Sequence, residues 1–162
     1  MTARNHAMMN RVADALLGRL QLIGKSNLMV WLSSPKAVQR GIAVDAANLP
    51  KPALFLMSAG WGPVTPYGTI AGGGLDVRAE AQFTVLAIVD QPVTSREAEQ
   101  ELNDLCADVI AAIETDYQLG DLLGTGYVHV DGYKPEVELS GAGFSVASLE
   151  LNATWLWDTD SP

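Results

Sequence analysis

Apolar side chains recur at every third or fourth position through residues 94–116, TSREAEQELNDLCADVIAAIETD. Ala98, Leu102, Leu105, Cys106, Val109, Ile110 and Ile113 form one stripe, the pattern of an amphipathic helix. Glu97, Glu101, Asp104, Asp108 and Glu114 fall mainly on the other side. Thr94 and Glu97 fit a capping box, in which each side chain accepts a backbone N–H of the first turn. A helix this one-sided needs an apolar surface to cover, and the flanking segments supply one. Residues 76–89 alternate, with Val77, Ala79, Ala81, Phe83, Val85, Ala87 and Val89 on one face. The other face is polar at Arg78, Glu80, Gln82 and Thr84, then apolar at Leu86 and Ile88. One end of this strand is therefore expected to be buried on both faces and the other on one. Residues 145–158 alternate likewise, with Ala147, Leu149, Leu151, Ala153, Trp155 and Trp157 facing one way.

Residues 7–23 predict a first helix, carried by Met8, Val12, Leu16, Leu20 and Ile23. Gly24 is placed to cap it. Gly18 inside it implies either close packing or a slightly weaker helix. In residues 27–48 the run LMVWL reads as a short strand, and residues 35–44 as a second short strand or an irregular excursion. Pro50 and Pro52 lead into ALFLM, residues 53–57, a short apolar run expected to be a buried strand. Residues 58–75 read as a long loop holding six of the 15 glycines, with Trp61 and Tyr67 at its tip. Loops of this length without their own structure are usually functional or disordered until bound. Gly72-Gly73-Gly74 is not a phosphate-binding loop, because no GxxxxGK[ST] pattern accompanies it and it leads into a strand. After the central helix come a glycine-punctuated turn at residues 119–126, a short strand at 127–131 and a hairpin connection at 132–143.

The order helix, strand, long loop, strand, helix, strand, strand predicts an α+β fold. It is a two-layer sandwich with a mostly antiparallel sheet and two main helices packed on one face. Residues 1–162 read as a single domain with a core of about residues 8–157 and a polar tail at 159–162.

Composition narrows the function more than the fold. With 48% hydrophobic and 18% charged residues the chain is globular in type. No apolar run reaches the roughly 20 residues of a membrane span, and Asp14, Arg19 and Gln21 interrupt any leader-like core near the N-terminus. The expectation is a soluble, intracellular protein. Nineteen acids against ten bases give a net charge of −9, which disfavours gripping a nucleic-acid backbone but allows one to pass. Cys106 is the single cysteine, so no intrachain disulfide or cysteine cluster exists, and its place on the stripe predicts a packing role.

Candidate chemistry is sparse. His129 and Asp131 lie two apart on one predicted strand, where they would make a base with its orienting carboxylate or a pair of metal ligands. No GxSxG or HExxH motif accompanies them, so a surface pair is the plainer reading. Glu97, Glu101 and Asp104 share a helix face but have no histidine partner or glycine-bearing calcium loop, which is the pattern of a solvated face. Neither catalytic nor metal-binding nor cofactor-binding residues are expected. Interaction is the better-supported class: an aromatic glycine-rich loop, a half-polar strand and an acidic surplus suit a subunit that pairs with copies of itself. Trp61, Tyr67, Arg78 and Glu80 are the residues expected to take part.

The sequence of pieces also carries a resemblance. An N-terminal helix, PALFLM, a loop, the strand DVRAEAQFTVLAIV, the helix EAEQELNDLCADVIAAIE and a final strand over residues 145–157 resemble the tail-terminator (minor tail or tail-completion) proteins of long-tailed bacteriophages. The resemblance rests on layout, and no short motif is diagnostic. It implies a small α+β subunit forming a hexameric ring at the head-proximal end of the tail tube, without catalytic residues or cofactor. Such a ring ends tube polymerisation and offers a surface to the head connector or neck protein. The implied partners are further copies of the chain, the tail tube protein and the neck. Genomic DNA passes through the lumen without specific binding, and the implied locations are the host cytoplasm during assembly and then the virion tail. Another head–tail joining (neck) or tail-assembly subunit, or a small enzyme using His129 and Asp131, are the alternatives.

Overall fold

The structure is a computed structural model that describes residues 3–41, 48–63, 78–90, 95–136 and 144–156. Seven elements follow in the order α1 (Ala3–Gln21), β1 (Ala37–Arg40), β2 (Ala53–Pro63), β3 (Arg78–Asp90), α2 (Ser95–Glu114), β4 (Val128–Glu136) and β5 (Phe144–Leu156). The five strands form one sheet in the order β1-β2-β3-β5-β4, with β1 parallel to β2 and every other pair antiparallel. The α+β two-layer arrangement read from the sequence is the one observed.

The stripe of α2 is buried as its periodicity requires: Ala98, Leu102, Leu105, Cys106, Val109 and Ile113 are all sequestered. Leu102, Leu105, Cys106, Val109 and Ile113 meet Val12, Leu16 and Leu20 of α1 and the alternating residues Phe83, Val85, Leu149, Leu151 and Trp155 of the central strands in one apolar core. Arg19 joins the two helices. Its Nε donates to the carbonyl of Ala112 at 2.9 Å and its Nη2 donates to Thr115 Oγ1 at 2.8 Å. A cation there suits the negative end of the α2 dipole and satisfies a carbonyl that the helix itself leaves free.

Three boundaries differ from expectation. First, β2 runs on to Pro63, so residues 58–63 are strand and not the beginning of a loop. Ser, Ala, Gly and Pro in that stretch read as turn formers, but thirteen-residue β3 offers an uninterrupted partner, and a register shift between Ser58 and Gly60 absorbs the irregularity. Second, LMVWL forms no strand; the short strand is β1, at Ala37–Arg40. Third, β4 continues to Glu136, past the predicted end at 131, with its own register shift between Val130 and Gly132. The capping threonine Thr94, Tyr67, Gly72–Gly74, Trp157 and the tail 159–162 lie outside the described residues.

Two glycines mark different demands. Gly24 follows α1 in the left-handed region at φ 75°, as its capping role requires. At Gly18 an added Cβ would meet nothing within 4 Å, so it is a weaker helix position and not a close contact.

Candidate functional site: the helix-free face and the sheet edges

With both helices on one side, the alternate residues of each strand form an opposite, helix-free face. Its register is fixed by three antiparallel pairings: Glu80 stands opposite Thr154, Gln82 opposite Asn152, and Asn152 opposite His129. The face has two chemically distinct ends. At one, Ala53, Phe55, Ile88 and Val146 form a second, smaller buried cluster, with Leu49, Leu86 and Phe144 packed against it. Lys51 closes that cluster. Its Nζ is 3.6 Å from Asp90 Oδ1, donates to the carbonyl of Leu49 at 3.3 Å and lies 5.7 Å from the centre of the Phe144 ring. This is the end that the sequence marked as apolar on both faces, through Leu86 and Ile88.

The other end is polar. Asn152 Nδ2 donates to Glu80 Oε1 at 2.7 Å across β5 and β3. His129 Nε2 pairs with the Asp131 carboxylate, and the His129 ring lies 5.4 Å from that of Tyr127. Asp131 sits in the β4 irregularity and, with Ala59, Gln82, Thr84 and Glu150, lines a depression of about 150 Å³. Carboxylates dominate this ground, with one half-exposed imidazole among them. Among the described residues no three His, Cys, Asp or Glu side chains converge in a way that could hold a metal ion.

The residues expected to interact do not stand together. Arg78 and Glu80 lie on the helix-free face at the start of β3, Arg78 opposite Leu156. Trp61 is in β2 opposite Ala81 and packs against the main core beneath the helices, so it is not at a loop tip. Tyr67 is outside the described residues. His129 and Asp131 are brought together, as their spacing suggested.

Asp108 belongs to the acids expected mainly on the side of α2 away from the stripe, and here the structure corrects the sequence. It is 3% exposed. Its carboxylate accepts from Leu32 N at 3.0 Å, from Ser33 N at 2.7 Å and from Ser33 Oγ at 2.6 Å. Leu105 and Ala112, three residues before it and four after, are both buried, so the spacing already placed Asp108 at the margin of the stripe. What it holds is the stretch between α1 and β1. There Trp31 turns inward, its Nε1 donating to the carbonyl of Ser26 at 2.8 Å, while Leu28, Val30 and Leu32 point outward at 65%, 91% and 62% exposure.

Titration behaviour follows burial. The Cys106 thiol is pushed up to about 12 by its apolar surroundings, which keeps it protonated and inert. Burial raises Tyr133, whose hydroxyl donates to Asn103 Oδ1 at 2.5 Å, with Cys106 and Glu99 adding to the effect. Glu101 is raised by burial and by Asp90, with Lys36 opposing.

Set against known proteins, the chain matches no family model and no curated protein significantly. No described helix is long and apolar enough to cross a membrane.

Proposed function

We propose that the protein is a structural subunit of a phage tail, a terminator that assembles as a ring on the head-proximal end of the tail tube. The ring ends tube polymerisation and presents a docking surface to the head connector. The observation that carries this reading is the layout itself: two helices on one face of a sheet whose outer strands, β1 and β4, each lack a strand on their far side among the described residues. A sheet with both edges open is suited to joining copies of itself side by side. The hexameric number comes from the family resemblance. A net charge of −9 fits a lumen that DNA traverses without adhering. Assembly in the host cytoplasm and residence in the virion tail belong to the same reading.

The test is tail length in electron micrographs after disruption of the gene in its own phage or prophage. Headless tubes of overlong and variable length are the expected result. Tails of normal length that fail to join heads would move the protein to a joining role in the neck. Unchanged infectious particles would overturn both.

One observation favours a second reading: His129 and Asp131 are paired beside the depression that Asp131 and Glu150 line. A small enzyme built on that pair would lose activity in His129→Ala while retaining its fold, whereas a structural subunit carrying the same change would still assemble.

A further inference from the structure

His129 and Asn152 are cross-strand partners of β4 and β5 on the helix-free face. Each carries one buried polar atom without a hydrogen-bond partner among the described residues, His129 Nδ1 and Asn152 Oδ1. Water does not reach either atom, so an orphaned lone pair on each is costly. Their neighbours fix how the two groups are turned. Asn152 Nδ2 donates to Glu80 Oε1 on β3 at 2.7 Å, and a carboxylate accepts only from the N–H side of an amide. Oδ1 therefore points away from β3, and β4 is the strand on that side of β5. His129 Nε2 pairs with Asp131. That contact places the ring proton on Nε2, because an ionised carboxylate has none to give. In a neutral imidazole Nδ1 is then an acceptor, set on the strand beside a second acceptor.

One species removes the mismatch. An imidazolium carries N–H on both nitrogens, so Nε2 keeps Asp131 while Nδ1 gains a proton for Asn152 Oδ1. A proton also needs no added room between two enclosed atoms. We propose that His129 is a proton-operated clasp, which on protonation bridges Asp131 and Asn152 and pins the outer strand β4 to β5. The surroundings favour the charged ring. Tyr127 and Asp131 border it from β4, Glu150 comes from β5, and Glu80 and Arg78 stand on the same face of β3. Three carboxylates thus oppose one guanidinium, and the Tyr127 ring, 5.4 Å from that of His129, adds a π-face within reach of a cation. Both helices lie on the other side of the sheet. The clasp also sits where the strand pairing is weakest, beside the register shift between Val130 and Gly132. The folded chain binds this proton through contacts that the unfolded chain lacks. The clasp therefore adds stability as pH falls and loses it as pH rises through the range in which histidines titrate. It requires neither a second copy nor a ligand.

The experiment is long-range 15N–1H correlation spectroscopy on the full labelled chain, with His6→Gln so that His129 alone reports, from about pH 8 to about pH 5. The neutral ring is expected with its proton on Nε2. The protonated ring is expected to show an Nδ1–H protected from exchange with water, and Asn152→Ala should abolish that protection. A neutral ring with its proton on Nδ1 would overturn the clasp. So would an Nδ1–H that exchanges as fast in the presence of Asn152 as in its absence. A double-mutant cycle of His129→Ala and Asn152→Ala, followed by urea unfolding, gives a second reading. The two residues should be coupled by about fivefold in the folding equilibrium constant at the acid end and uncoupled at the other. Equal coupling at both ends, or none at either, would show that the pair is not operated by a proton.

Discussion

Asp108 occupies a position on α2 between two buried apolar neighbours, yet its carboxylate receives two backbone N–H groups and a hydroxyl from residues 32 and 33. A buried charge persists only when its hydrogen bonds are made, and here the donors come from a stretch with little other anchorage. Asp108→Ala leaves those donors without an acceptor and is expected to lower stability by about 2–3 kcal/mol, measured by urea unfolding. Asp108→Asn keeps an acceptor oxygen and should lose less. Cys106 gives a second expectation at this scale. Burial raises its pKa to about 12, so the reactive thiolate is scarce at neutral pH. Reaction with a thiol reagent such as DTNB should be slow in the native protein and become fast only when denaturant opens the core. Asp108 was hidden from sequence reading because an acid on a helix is most often solvated, and only its spacing from Leu105 and Ala112 hinted otherwise. Cys106 was legible because Leu102, Val109 and Ile110, its neighbours on the stripe, are apolar.

At the scale of elements, two glycines of similar appearance in the sequence separate into opposite cases. Gly18 lies within α1 with open space around it, so Gly18→Ala should stabilise the protein by about 0.5–1 kcal/mol through helix propensity alone. Gly126 precedes β4, where an added Cβ would fall 1.7 Å from the carbonyl oxygen of Thr154. Backbone there meets backbone, so Gly126→Ala must shift one strand end and should cost about 1–3 kcal/mol. Thermal melts of the two variants should move in opposite directions. Periodicity revealed α1, α2, β3 and β5 because each has a long, unbroken apolar face. It missed the second half of β2, since SAGWGP owes its strand conformation to β3 and not to its own residues. It mistook LMVWL for a strand because alternation was present while a paired neighbour was not.

For the molecule as a whole, the layering was legible from the chain: helices with one apolar face require a sheet, and the sheet's half-polar strands require an open side. The division of that open side was legible only in part. Arg78, Glu80, Leu86 and Ile88 announced that β3 changes character along its length, and the structure supplies the reason, a second small cluster sealed by Lys51, Asp90 and Phe144. Trp61 was misplaced because a tryptophan between two glycines resembles a loop tip, whereas the register with Ala81 turns it under the helices. The meeting of Glu150 with Asp131 beside one depression depends on the strand order, which no local pattern encodes.

That strand order has a consequence for how the chain is made. β5 lies between β3 and β4, although it follows both in sequence. Until residues 144–156 emerge during synthesis, β1, β2 and β3 form a separate small sheet, and β4 has no strand to bind. The centre of the sheet closes by joining residues as distant as Arg78 and Leu156, and such long-range closure is a slow step. For that interval the inner edge of β3 stands open to any strand nearby, in a protein proposed to assemble through its edges. The nascent chain therefore passes through its most adhesive state just before it acquires the one arrangement in which only the intended edges remain.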